Sequence, residues 1–183
     1  MREARAEYFA RSGFAPDGGY GDKWVRLRIG RWAIGFPNTQ ARVRAVKLHD
    51  LHHVLTGYGT TWMGEAEIGA WEIASGCGRH YPAWLLNFGA LAIGLLLGPR
   101  RVIEAFVRGR HSGNLYSGEF QEHLLDLTVG GLRAELVIPE DSPPASAKDR
   151  LAFVAWSAVS VVVSLLPYLG AAGLVVTIVR WAR

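Results

Sequence analysis

Apolar positions along the chain fall into three patterns. The first is alternation: Val25, Leu27 and Ile29 are separated by Arg26 and Arg28, a period that predicts a strand. Gly30-Arg31 suits a two-residue turn, and Trp32 to Phe36 can return as the partner strand. Before this hairpin, residues 2–11 predict a short helix ending at Ser12-Gly13, and the glycine-rich stretch 15–21 a loop. The second pattern is helical. Asn38 or Thr39 can cap a helix over Gln40–Thr56, and Thr60 or Thr61 a second over Thr61–Ser75, which stops at Gly76-Cys77-Gly78. Val102 to Arg108 and Tyr116 to Arg133 predict further helices, the latter with Phe120, Leu124, Leu127 and Leu132 inward.

The third pattern is unbroken apolarity. Ala83 to Gly98 carries no charge, and Asn87 is its one strongly polar side chain. It is short of the ~20 residues that span a bilayer, so a buried helix lining an apolar channel is expected, ended by Pro99-Arg100-Arg101. After a proline- and serine-rich linker at 140–150, Leu151 to Val179 is again free of charged side chains. As one straight helix it would be ~44 Å long, more than the ~30 Å hydrocarbon core. Pro167 and Gly170 interrupt it, so a kinked single span and a re-entrant hairpin both fit. Lys148, Arg150, Arg180 and Arg183 flank it; with both ends basic, a hairpin with cytoplasmic ends is favoured.

The predicted fold is therefore mainly α: a helical core domain with a small N-terminal β-hairpin and a C-terminal hydrophobic membrane segment. The divisions are 1–37, 38–139, 140–150 and 151–183. Composition sharpens this in three ways. Half of the 183 residues are hydrophobic, which points to membrane contact. The net charge of +4 is concentrated early, with ten Lys/Arg against five Asp/Glu in residues 1–50. A basic face of that kind suits anionic headgroups, and beside so apolar a tail it favours lipid over nucleic acid. The single cysteine, Cys77, excludes an intrachain disulfide and reads as a packed residue. No apolar leader follows Met1-Arg2-Glu3-Ala4-Arg5, so no secretory signal is expected.

Candidate chemistry concentrates in His49-Asp50-Leu51-His52-His53 and, after eleven intervening residues, Glu65. His49 and His53 are one helical turn apart on one face. Asp50 lies ~100° round the axis from His49. A turn at Thr56-Gly57-Tyr58-Gly59-Thr60 can fold the next helix back and bring Glu65 to the same place. Two imidazoles with carboxylates suit zinc, iron or manganese better than magnesium or calcium. His52 is expected behind the ligands, Glu72, on the same helix face as Glu65, as a solvated charge or else a second carboxylate at the site, and His111 and His123 outside the site.

His49-Asp50-x-x-His53, eleven residues and Glu65 resemble the signature of the ubiquinone (coenzyme Q) biosynthesis family of the fourth Coq protein. Gly57-Tyr58-Gly59-Thr60, Gly64-Glu65-Ala66-Glu67-Ile68, Arg108-Gly109-Arg110, Leu115-Tyr116 and Leu132 to Pro139 are similar to its surrounding segments, over roughly residues 38–139. The resemblance implies a divalent metal, described as zinc, held by His49, Asp50, His53 and Glu65. It also implies a helical, membrane-associated protein that binds prenylated quinone precursors and works with other quinone-biosynthesis proteins. The function expected is metal-dependent decarboxylation of a prenylated aromatic acid at C1, an oxidative step for which zinc would need an outside oxidant and iron or manganese would not. The alternative is a non-catalytic lipid-binding scaffold. The expected location is the cytoplasmic face of the inner membrane. The hydrophobic tail departs from the family pattern.

Overall fold

The computed structural model describes residues 1–29 and 32–181, so the Gly30-Arg31 turn and the last two residues lie outside the described residues. The chain is 67% helical, and its helices are α1 (Arg2–Ser12), α2 (Gln40–Thr56), α3 (Trp62–Ser75), α4 (Tyr81–Leu97), α5 (Pro99–Arg110), α6 (Val129–Glu135) and α7 (Ala147–Trp181). Strands β1 (Trp24–Ile29) and β2 (Trp32–Pro37) form one antiparallel pair, with Val25 opposite Phe36 and Leu27 opposite Ile34. The mainly α architecture with an N-terminal hairpin and an apolar C-terminal helix is the one that the hydrophobic pattern predicts.

Helix α3 is the central element. Every residue from Ala66 to Ile73 is buried, Glu67 and Glu72 included, so this stretch is enclosed on every side and its carboxylates must find partners inside the fold. One core lies between α2, Trp71 and the 115–138 segment, built on Leu48, Leu51, Leu55, Tyr116 and Leu132. The other joins α3 to α4, α5 and α7 through Ala66, Ala70, Ile73, Leu91, Val102 and Phe106. The boundaries of α2 and α3 are set by side-chain caps. Thr39 accepts from the Arg42 N–H at 3.3 Å and Thr61 from the Gly64 N–H at 3.1 Å. Helix α2 ends at Gly57, whose φ of 80° is left-handed, the usual glycine helix stop. Arg108 of α5 then ties that end down, donating to the Thr56 carbonyl at 2.9 Å and the Pro139 carbonyl at 2.8 Å.

Four expectations are corrected. The 116–133 stretch is not one helix. It holds two short 3-10 turns, Leu115–Ser117 and Glu122–Leu125, before α6. Asn114 and Thr128 each accept a backbone N–H just downstream and restart the chain, and Leu127 is exposed rather than inward. Pro99-Arg100-Arg101 opens α5 instead of closing α4, with Pro99 in the first turn, where its missing N–H costs nothing. Helix α4 is buried on one side only: Ala83, Asn87, Leu91 and Gly94 face inward, while Leu85, Leu86, Ile93, Leu96 and Leu97 are exposed. Last, the tail is one helix running through Pro167, not a hairpin. It starts at Ala147 because Ser146 and Asp149 cap each other's backbone N–H groups. Over Ala147–Leu169 it is long and apolar enough to cross a membrane.

The α2–α3 turn depends on close backbone approach. A Cβ on Gly64 would overlap the Gly59 carbonyl, whereas one on Gly59 would meet nothing. Gly64→Ala should therefore cost about 1–3 kcal/mol of stability through overpacking, and Gly59→Ala far less, as thermal unfolding of the two variants would show.

Candidate metal centre

The turn at 57–60 brings α3 back onto α2 at the point where three ligating side chains converge. One nitrogen each of His49 and His53 and one Glu65 oxygen all lie within 4.8 Å of one another. His49 Nε2 is 3.0 Å from His53 Nε2, and the Glu65 oxygens are 3.5 Å from His49 Nε2 and 3.6 Å from His53 Nε2.

The hydrogen bonds behind the rings decide what these atoms present. His49 Nδ1–H donates to Glu72 Oε1 at 2.9 Å, and His53 Nδ1–H donates to the Tyr58 carbonyl at 2.9 Å. With each proton on Nδ1, both Nε2 atoms carry lone pairs, and these face each other. Two lone pairs at 3.0 Å repel unless a cation lies between them. Either a proton or a metal ion can do so, and both nitrogens can reach one ion at an ordinary Zn–N distance of ~2.0–2.1 Å. A carboxylate or carbonyl behind each ligating imidazole is the arrangement that orients metal-bound histidines.

His52 is excluded as a ligand by the same reasoning. Its Nδ1–H donates to Glu72 Oε1 at 2.7 Å, and its Nε2 accepts the Leu115 N–H at 3.0 Å. Both nitrogens are used, and burial holds its pKa below 6.5. It therefore stays neutral behind the cluster, as the sequence suggests.

Glu72 is not solvated. It is fully buried and accepts four hydrogen bonds. His49 and His52 donate to Oε1, and Asn87 at 2.6 Å and the Tyr116 hydroxyl at 3.1 Å donate to Oε2. Burial opposes its ionisation, but the His49 and His52 contacts outweigh it and hold the carboxyl well below the usual range. The signals for Glu72 are its seven-residue spacing from Glu65 and the lone Asn87 in a charge-free helix.

Asp50 lies beside the cluster, outside the group of three. It accepts from the Tyr20 hydroxyl at 2.6 Å and from Tyr8 at 3.5 Å, and burial raises its pKa above 3.8. Tyr8 also stacks on His53, with ring centroids 5.2 Å apart. Residues of α1 and the following loop thus cover the cluster, a contribution that no motif in the N-terminal segment announces. His111 instead lies 3.7 Å from Asp149, and Cys77 is packed against Asn87. A cleft of about 390 Å³ opens beside His53, lined among others by Tyr8, Arg11, Tyr58 and Thr60. That is within the ~300–1,000 Å³ range of small-molecule sites.

Compared with family models, characterised proteins and solved structures, the chain finds no match.

Three outcomes follow for metal content, measured by stoichiometry on purified protein. His53→Ala and Glu65→Gln should each lose most of the ion, and His52→Ala should keep it. Glu72→Gln should weaken metal binding ~10–100-fold, the range seen when the partner behind a ligating histidine is lost. Asp50→Asn should weaken it less than Glu65→Gln, because two phenols already hold Asp50; an equal loss would place Asp50 on the ion.

The metal-free protein should show a pH window. Burial opposes protonation of His49, but the charges of Glu72 and Glu65 and their hydrogen bonds raise its pKa well above 6.5. Stability from the His49 proton is thus complete below 6.5 and is lost as pH rises through the raised value. Burial also opposes ionisation of Glu65, but the adjoining His49 and His53 rings lower its pKa from 4.5 to about 2. Its stabilisation is present above 4.5 and is lost as pH falls toward 2. Thermal unfolding without metal should therefore be highest between those limits. With metal bound, the decline on the alkaline side should disappear.

Proposed function

We propose that this chain is a metal-dependent ubiquinone-biosynthesis protein. It binds a prenylated aromatic acid at the membrane and removes its C1 carboxyl group. The observation that carries this reading is the convergence of the His49 and His53 Nε2 atoms, 3.0 Å apart, with the Glu65 carboxylate 3.5–3.6 Å away, beside a cleft that opens at His53. The motif around His49, Asp50, His53 and Glu65 supplies the resemblance to the fourth Coq protein's family, and the apolar helix Ala147–Leu169 accords with an isoprenoid substrate.

A bound divalent ion supplies Lewis-acid polarisation of the ring carboxylate. The chain's own residues do the rest. His49, His53 and Glu65 would hold the ion through three protein atoms, leaving room for substrate, the open arrangement typical of catalytic rather than structural sites. Glu72 and the Tyr58 carbonyl fix the two rings, and Tyr8 covers one of them. Zinc is the ion that the resemblance implies, and the oxidative form of the reaction would call for iron, manganese or an external oxidant. The proposed location is the cytoplasmic face of the inner membrane, where the basic N-terminal half, with ten Lys/Arg against five Asp/Glu in residues 1–50, would meet anionic headgroups. Other quinone-biosynthesis proteins are the proposed partners.

The second reading is a non-catalytic scaffold that binds the same lipid. The broad exposed apolar surface of α4 and α7 favours it, since lipid contact requires no chemistry. Purified protein in vesicles, given a prenylated hydroxybenzoate with and without added metal, separates the two. Carbon dioxide release that requires metal and is abolished by Glu65→Gln is the expected result. Binding without release under any metal would establish the scaffold.

A further inference from the structure

We propose that the outer face of α4 lies in the acyl-chain region of the membrane beside α7, so that the protein meets lipid with two helices. The proposal rests on reading α7 as a membrane segment and extends it to an element too short to suggest insertion by itself.

The argument begins with helix phase. At ~100° per residue, Leu85, Leu86, Ile93, Leu96 and Leu97 fall within one third of the circumference of α4. All five are exposed, Leu96 at 86%. The opposite side, with Ala83, Asn87, Leu91 and Gly94, is buried. Both faces are therefore apolar, yet only one has protein against it. A helix that is apolar all round belongs either in a core or in lipid, and the core takes only half of this one.

Continuity with α7 identifies the occupant of the other half. The rings of Trp84 and Phe88 stack on Trp156, at 5.3 Å and 6.0 Å between centroids. Farther along, the Ser164 hydroxyl reaches the Phe88 carbonyl at 3.5 Å. Helix α7 exposes Val154, Val161, Val162, Leu165 and Leu166 in turn. The two helices thus present adjoining aliphatic surface, and a contiguous exposed apolar patch of this kind marks an interaction or membrane site. Seventeen residues of α4 span ~25 Å, short of the ~30 Å hydrocarbon core, so α4 is embedded without crossing. Directly after it, Arg101 is held by Glu67, whereas the Arg100 side chain is 91% exposed and pairs only through Nε, with Glu104 at 3.2 Å, so its remaining N–H groups can reach lipid phosphate. The inner face of the same helix carries Asn87, which holds Glu72. The lipid surface therefore lies one helix away from the carboxylate that orients His49.

The test uses the full chain in phosphatidylcholine vesicles, with native Cys77 left in place because it is buried. Environment-sensitive labels are attached to Leu96→Cys, to Leu165→Cys on α7, and to Glu122→Cys as an aqueous control. Quenching is read with acyl-chain nitroxide lipid and with iodide. The expected result is that the labels at 96 and 165 lose a similar share of emission to the nitroxide and little to iodide, and that 122 does the reverse. If 165 is quenched by lipid while 96 is quenched by iodide, α4 is in water and the proposal fails, although α7 remains a membrane segment. If neither is quenched by lipid, the reading of α7 fails and the proposal with it. If 96 is shielded from both quenchers and native mass spectrometry shows a doubled mass, a second copy covers α4 and the proposal is overturned.

Discussion

The arrangement depends on one buried charge. Glu72 sits in the last turn of α3 with no solvent contact, and its four donors come from three other parts of the chain: α2 supplies two imidazoles, α4 an amide and the 115–117 turn a phenol. A carboxylate in such a place persists only when its lone pairs are taken up. Each donor thus secures the others by keeping the charge affordable to bury, and each ties one more segment to α3. Removing one partner of a buried pair of this kind typically costs ~3–5 kcal/mol. The same carboxylate sets the tautomer of His49, which connects the packing of the core to the direction in which a lone pair points.

That connection gives the cluster its chemical character. Three groups at the right spacing make a ligand set only when the rings cannot turn and the protons are on the far nitrogens. Glu72 and the Tyr58 carbonyl meet this condition for His49 and His53. His52, one position away from His53, fails it because both of its nitrogens are bonded. The difference between a histidine with a nitrogen left for a cation and a fully bonded one here is a single donor, the Leu115 N–H, with no difference in residue type.

Much of this is legible in the residues themselves, and the limits have identifiable causes. The α2 and α3 boundaries follow from Thr39, Thr61, Gly57 and Gly76, because caps and stops are local. The convergence of His49, His53 and Glu65 follows from a four-residue spacing and a glycine turn. Glu72 was misread because charge usually signals solvent, and its donors Asn87 and Tyr116 are 15 and 44 residues distant. The 116–133 stretch was misread because side-chain caps from Asn114 and Thr128 compete with a helical period that is real but weak. Helix α4 reads as an interior helix because apolar composition does not say which faces are covered; its packing on α3 and α7 does, and it leaves Leu85, Leu86, Ile93, Leu96 and Leu97 exposed. Tyr8 and Tyr20 were invisible because covering a site requires no motif.

The order of contacts along the chain has a further consequence, for folding. His49, His53, Glu65 and Glu72 fall within one continuous segment of two helices and a tight turn, whereas the groups that close over it, Tyr8, Tyr20, Asn87 and Tyr116, arrive from outside. Contacts near in sequence form sooner than distant ones. His49, His53 and Glu65 can therefore come together before the enclosure around them is complete, leaving an interval in which the cluster is open to solvent on sides that Tyr8, Asn87 and Tyr116 later close.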